Sequence, residues 1–222
     1  PEVARLASKE PSRTEVLNDV DGRLTMLYRV AKYHPESLAL ELGGIVRSRQ
    51  NYDDFRSQPG ITDVQRAARY AFLLCNTFAK RLRFNSFAYS ITGRSGAWPS
   101  NMMQYLTRIF DELDGRQVTI ESLDFEELIK RYDRPHTFFY CDPPYYLPSV
   151  AYTHALTVED HARLARCLSR VTGKWLLSYN DVPEVRELYR PFRITRVAIP
   201  YSISTNKTGQ RTTGREILIR NY

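Results

Sequence analysis

The run Thr137-Phe138-Phe139-Tyr140-Cys141 stops abruptly at Asp142-Pro143-Pro144, and this junction limits the possible folds more than any other part of the sequence. A short apolar run bounded by turn residues reads as a buried strand. Two successive prolines end it, because each fixes φ and removes a backbone donor. Downstream, Thr157-x-x-Asp160 has the form of a helix-opening box, and Val158, His161, Leu164, Ala165 and Leu168 recur at helical spacing. Trp175 to Ser178 is the next strand and Pro183 to Tyr189 the next helix. Alternation of this kind predicts the α/β class. It places Asp142 just beyond the carboxyl end of a strand, where open α/β sheets bind ligands.

The same grammar appears upstream. Thr14 to Leu17 is a short strand candidate running into Asn18-Asp19, and Leu24, Leu27, Tyr28 and Ala31 then mark a helix. Asp63 to Arg83 is strongly helical, with Ala67, Ala71, Leu74, Cys75 and Phe78 on one stripe. NSFAYSITGRSGAWPSN, which follows, has the composition of a loop or hairpin. Met103 to Leu113 reads as an amphipathic helix, Val118 to Ile120 as a strand and Phe125 to Tyr132 as a short helix. Two strands, Ile194 to Tyr201 and Glu216 to Ile219, close the chain around the loop Ser202 to Gly214. We therefore expect a first α/β part over 1–46, a basic and mainly helical insert over 47–114, and a second α/β part over 115–222.

Charge placement gives the middle part its character. Between Arg47 and Gly96 nine cations (Arg47, Arg49, Arg56, Arg66, Arg69, Lys80, Arg81, Arg83 and Arg94) face only Asp53, Asp54 and Asp63, in a chain of net charge +7. Such a surface is either a solvated basic face or one that binds phosphates and releases their counterions. No run approaches the ~18 apolar residues that span a bilayer, so no membrane role is expected. Cys75, Cys141 and Cys167 show no Cys-x-x-Cys spacing, which fits a reducing cytoplasm better than a disulfide framework or structural zinc. His154 and His161 lack partners of metal-ligand type, and no metal is expected.

The sharpest motif is Asp142-Pro143-Pro144-Tyr145, which chance would place in roughly one chain in a thousand of this length. Asp19, after the first strand, stands where an acid holds a ribose hydroxyl pair or, alternatively, caps a helix. Asp124-Phe125 also follows a strand, where capping with core packing and ligand binding are both open. Four segments together, SKEPSRTEVLNDVDGRLTMLYRV, DFEELIKRYDRPHTFFYCDPPYY, WLLSYNDVPEVRELY and YSISTNKTGQRTTGREILIRNY, resemble the Dam-type (D12 class) N6-adenine DNA methyltransferases from about residue 5 to the end.

That resemblance implies a Rossmann-like, S-adenosylmethionine-dependent methyltransferase sheet and double-stranded DNA as substrate. It implies Asp142, Pro143, Pro144 and Tyr145 as catalytic residues, with direct methyl transfer to a flipped-out adenine and no metal. Asp19 would hold the ribose of the cofactor, Asp124 and Phe125 would line its adenine, and Asp142 would border it. The family keeps its target-recognition region in the basic middle, making Lys80, Arg81, Arg83, Arg94, Ser95 and Trp98 DNA-binding candidates. Lys207 and Arg211 resemble a segment near the target-base pocket. Acidic or Asn-Pro-Pro-aromatic motifs also serve amino-methyltransferases of RNA and protein, but Asp at 142 and the basic insert favour DNA.

The sequence departs from the family at one point. Members begin with a Pro-x-Gly-Lys stretch and a Phe-x-Gly-x-Gly turn that brings backbone close to the cofactor. Here the first glycine is Gly22. The expectations are a fragment, one half of a split enzyme, or a noncatalytic DNA-binding remnant. A missing central strand would leave an apolar edge for a second chain or a homodimer partner to cover.

Overall fold

The computed structural model describes residues 12–77, 87, 100–113, 117–146, 156–205 and 211–222. The chain divides into two compact units, 1–123 and 124–222. Each is mixed α/β. No described helix is long and apolar enough to cross a membrane.

In the first unit β1 (Glu15–Asn18) pairs in parallel with β2 (Val118–Glu121), residue for residue from Glu15 opposite Val118. Asn18 at the end of β1 clasps Leu123, accepting from its N–H at 2.9 Å and donating to its carbonyl at 3.0 Å. Between the two strands come α1 (Gly22–Tyr33), α2 (Pro35–Gly44), α3 (Arg49–Ser57), α4 (Asp63–Asn76) and α5 (Ser100–Leu113). Leu27, Val30 and Ala31 of α1, Leu38 and Leu42 of α2, Ala67, Ala68 and Ala71 of α4, and Met102 and Leu106 of α5 form one cluster with Leu17 of β1. The helical segment thus shares its main core with the first α/β elements. Tyr52, Phe72 and Leu73 make a smaller cluster beside it.

The expected helix over Asp63 to Arg83 ends earlier, at Asn76. Asn76 and Thr77 turn their side chains back onto the carbonyls of Phe72 and Leu73, at 2.8 and 2.7 Å, and Tyr52 bonds the Thr77 hydroxyl at 2.8 Å. Thr77 is extended and forms an antiparallel bridge with Phe87. Side chains that bond local backbone compete with further helix, which is the physical reason for the stop.

The second unit holds a four-stranded sheet in the order β3 (Phe138–Cys141), β4 (Lys174–Asn180), β6 (Arg211–Arg220), β5 (Arg193–Thr205). β3 and β4 run parallel, and β6 is antiparallel to both β4 and β5. β5 and β6 are longer than the sequence pattern implies: the strands extend into the expected loop over 202–205 and 211–214, with an irregularity in their pairing between Pro200 and Thr205. α6 (Phe125–Tyr132), α7 (Val158–Leu168) and α8 (Pro183–Leu188) complete the unit. The box Thr157–Asp160 forms as expected, each residue's side chain accepting from the other's backbone N–H, at 3.1 and 3.0 Å. Ile129, Phe139, Leu164, Leu168, Trp175, Leu177, Tyr179, Tyr189, Ile217 and Ile219 form the core.

The β3–β4 junction is pinned by Asp133, which accepts from the N–H groups of Thr172 and Gly173 at 3.0 Å each. A Cβ on Gly173 would lie 2.5 Å from the Thr137 carbonyl oxygen and 2.8 Å from that of Arg134. Backbone, not a flexible side chain, would have to move. Gly173→Ala is expected to destabilise the protein by about 1–3 kcal/mol, as overpacking does. An unchanged denaturation midpoint would show that the junction is looser than this.

Candidate active site

Parallel pairing of β3 with β4 delivers the chain into Asp142 at the carboxyl end of β3, and the two prolines follow outside any strand or helix. Asp142 is solvent-exposed, and Pro143, Pro144, Tyr145 and Tyr146 are half-buried. The Asp142 carboxylate accepts a hydrogen bond from Ser178 at 2.6 Å, and Tyr140 donates to the same Ser178 hydroxyl at 3.2 Å. The Tyr145 hydroxyl donates to Glu216. Tyr146 is held through its backbone: its N–H donates to the Asn180 side chain at 3.0 Å, and its carbonyl accepts from the same amide at 3.1 Å. Its ring lies against His161, centroid to centroid 4.7 Å, and His161 bonds the Tyr179 hydroxyl through Nδ1. Burial lowers the pKa of His161, which keeps it neutral at pH 7.

Cys141 offers no nucleophile. Desolvation pushes its thiol up to about 12, and the neighbouring Asp142 charge adds to the effect. This strongly disfavours the thiolate, the reactive form, at neutral pH. What this loop presents is an exposed carboxylate and an aromatic ring, both fixed from behind. Such groups accept protons and stack on planar partners.

In the first unit, Asp19 follows β1 as expected. The helix-capping role weighed for it belongs to Asp21, which accepts from Arg23 N–H at 3.0 Å at the start of α1. Asp19 accepts instead from the Asp21 N–H at 2.7 Å. Burial works against the Asp21 carboxylate, but bonds from Arg23 and Tyr70 outweigh it and hold its pKa below the ordinary value.

Asp124 is the N-cap of α6, accepting from Glu126 N–H at 2.9 Å. Arg163 of α7 grips it with two bonds, at 2.8 and 2.9 Å, and reaches Asp160 at 3.1 Å. Those bonds, first among the causes, lower the Asp124 pKa. The guanidinium lies 4.2 Å from the centre of the Phe125 ring. Capping and packing are thus realised at Asp124-Phe125. Arg163 went unnoticed in the sequence because its partner lies 39 positions away.

Lys80, Arg81, Arg83, Arg94, Ser95, Trp98 and Lys207 lie outside the described residues, as does the expected loop 85–101 apart from Phe87 and its last two residues, Ser100 and Asn101, which open α5. Arg211 opens β6 opposite Thr205. The first unit carries further arginines laid on aromatic rings: Arg47 and Arg49 on Phe87 at 5.5 and 5.4 Å, and Arg69 on Phe55 at 4.9 Å. These appeared in the sequence only as members of a charge run, since nothing in their spacing shows which ring each covers.

A mixed α/β chain with an Asp-Pro-Pro-Tyr loop past a parallel strand has the parts of an amino-methyltransferase. The model of the D12 class N6 adenine-specific DNA methyltransferase family matches residues 3–203, nearly the whole chain, and the protein belongs to that family. No curated protein sequence matches it.

Proposed function

We propose that this chain transfers a methyl group from S-adenosylmethionine to the N6 amino group of adenine in duplex DNA, by direct in-line transfer to a flipped-out base. The observation that carries the reading is the exposed Asp142 carboxylate, tied by Ser178 at the end of β3 next to the aromatic Tyr145. An adenine amino group is a poor nucleophile, because its lone pair is delocalised into the ring. Acceptors aimed at its protons favour a pyramidal nitrogen with the lone pair freed. Asp142 supplies one acceptor and the Pro143 carbonyl the other, in an arrangement preorganised by two fixed proline φ angles. Tyr145 offers its face to the base, which must leave the duplex stack to be reached.

The residues present fit the methyl donor at Asp19. Its carboxylate stands past a parallel strand, the place where an acid holds a ribose hydroxyl pair in open α/β sheets, and it accepts from the Asp21 N–H. Phe125 would offer a ring to the adenine of the donor, with Asp124 fixed beside it by Arg163. When bound, S-adenosylmethionine supplies an electrophilic methyl on a sulfonium. No nucleophile of the protein is required, in keeping with the protonated Cys141.

The basic middle supports DNA as the partner. Arg47, Arg49 and Arg69, held on aromatic rings, and the candidates Lys80, Arg81, Arg83, Arg94, Lys207 and Arg211 suit phosphates and groove edges. The test is calorimetric titration of S-adenosylmethionine into the purified chain, with and without an adenine-containing duplex. Saturable binding with a Kd on the order of micromolar, about −8 kcal/mol, is expected. DNA affinity without donor binding would instead make the chain a noncatalytic DNA-binding remnant.

A further inference from the structure

Three polar side chains share one face of the sheet beneath the Asp142–Tyr146 loop. Ser178 and Asn180 are two apart on β4 and so point the same way, and Glu216 of β6 lies directly opposite Asn180. The other β4 face is apolar, with Trp175, Leu177 and Tyr179 in the core. Ser178 and Asn180 are nonetheless buried, at 5% and 7% exposure. Each is bonded to a successive part of the loop: Ser178 to Asp142, Glu216 to Tyr145 and Asn180 to Tyr146. Buried polar groups are costly unless satisfied, so polar residues here need a reason that apolar packing would not supply. The Asn180 amide satisfies backbone and needs no further role. Ser178 and Glu216 grip the very side chains that the proposed reaction uses.

We propose that Ser178 and Glu216 are positioning residues for methyl transfer, Ser178 setting the Asp142 carboxylate and Glu216 anchoring the hydroxyl end of the Tyr145 ring. The inference rests on the reading of Asp142 and Tyr145 given above. Tyr140 donates to the Ser178 oxygen, which directs the single Ser178 proton at Asp142. A carboxylate has about four lone-pair sites, and the Ser178 bond occupies one of them while orienting Oδ1. Glu216 accepts a hydrogen bond from the Tyr145 hydroxyl and thereby holds the far end of the ring that stacks on the base.

The test pairs each disruptive variant with a conservative one: Ser178→Ala with Ser178→Thr, and Glu216→Leu with Glu216→Gln, whose carbonyl still accepts. Single-turnover methylation of an adenine-containing duplex and the ¹³C resonance of the Asp142 carboxyl are measured together. Ser178→Ala is expected to lower the transfer rate by about 10²-fold, the scale of a displacement of about 1 Å, with duplex and donor Kd within about twofold. It should also shift the Asp142 resonance while other carboxyl signals stay in place, and Ser178→Thr should restore both. Glu216→Leu should lower the rate similarly, and Glu216→Gln should restore it. An unshifted Asp142 resonance with an unchanged rate overturns the proposal, as does general spectral change with loss of binding in the conservative variants too. If the unaltered protein transfers no methyl group, the functional reading fails. The Asp142 resonance still decides whether Ser178 sets that carboxylate.

Discussion

Asp142→Ala is expected to reduce methyl transfer by about 10³-fold or more, on the order of 4 kcal/mol of transition-state stabilisation, while thermal unfolding stays close to that of the parent. The two halves of this expectation come from different observations. Asp142 is exposed, and it accepts a hydrogen bond from Ser178. Its removal takes little from the core but deprives the buried Ser178 hydroxyl of this acceptor, so a loss of about 1 kcal/mol is expected. The rate loss follows from removing an acceptor for the amino group. Asp142→Asn keeps one acceptor oxygen and should lose less than alanine does. Equal loss of folding and of transfer in the alanine variant would make Asp142 a structural residue.

The second large effect is expected at Trp175. Its side chain is fully buried in β4, with Phe192 edge-on at 4.8 Å and Tyr189 at 6.2 Å. Trp175→Ala should cost about 3–5 kcal/mol, the range for emptying a large aromatic site. That is a major share of the 5–15 kcal/mol typical of a whole domain. Trp175→Phe tests the reason. The indole Nε1 is buried without a hydrogen-bond partner, so phenylalanine removes an unsatisfied donor along with some volume, and the two effects oppose each other. A loss of only about 1 kcal/mol is expected for it. Chemical denaturation followed by circular dichroism reads both. An alanine variant as stable as the parent would contradict the packing described for this core.

The elements that read well from sequence are those whose signal is local. The strand into Asp142-Pro143-Pro144, the Thr157–Asp160 box and the Leu164 stripe depend on residues within a turn or two of one another, and they form where expected. α2 was not anticipated. It buries only Leu38 and Leu42, while Leu40 on its other side is 81% exposed, so its amphipathic pattern is weak. The early end of α4 turns on two side chains bonding back to the helix, which composition does not announce.

The site divides in the same way. Asp142 and Tyr145 stand in a rare tetrapeptide, whereas the residues that hold them sit 36 and 71 positions further along the chain. Ser178 and Glu216 lie in two of the segments that carry the family resemblance, but nothing in those segments gives them a role, and only the pairing of β4 with β6 brings them to one face. Asp19 was legible as an acid after a strand. Its separation from the capping role needed the structure, which gives that role to Asp21.

The most direct test of the central claim is incubation of the purified chain with S-adenosylmethionine and unmethylated duplex DNA, followed by mass spectrometry of the digested nucleosides. The account predicts N6-methyladenine in the DNA digest, and none when the same assay uses the Asp142→Ala variant. Methylated cytosine, methyl transfer to RNA or protein in preference to DNA, or equal product from the variant would contradict it.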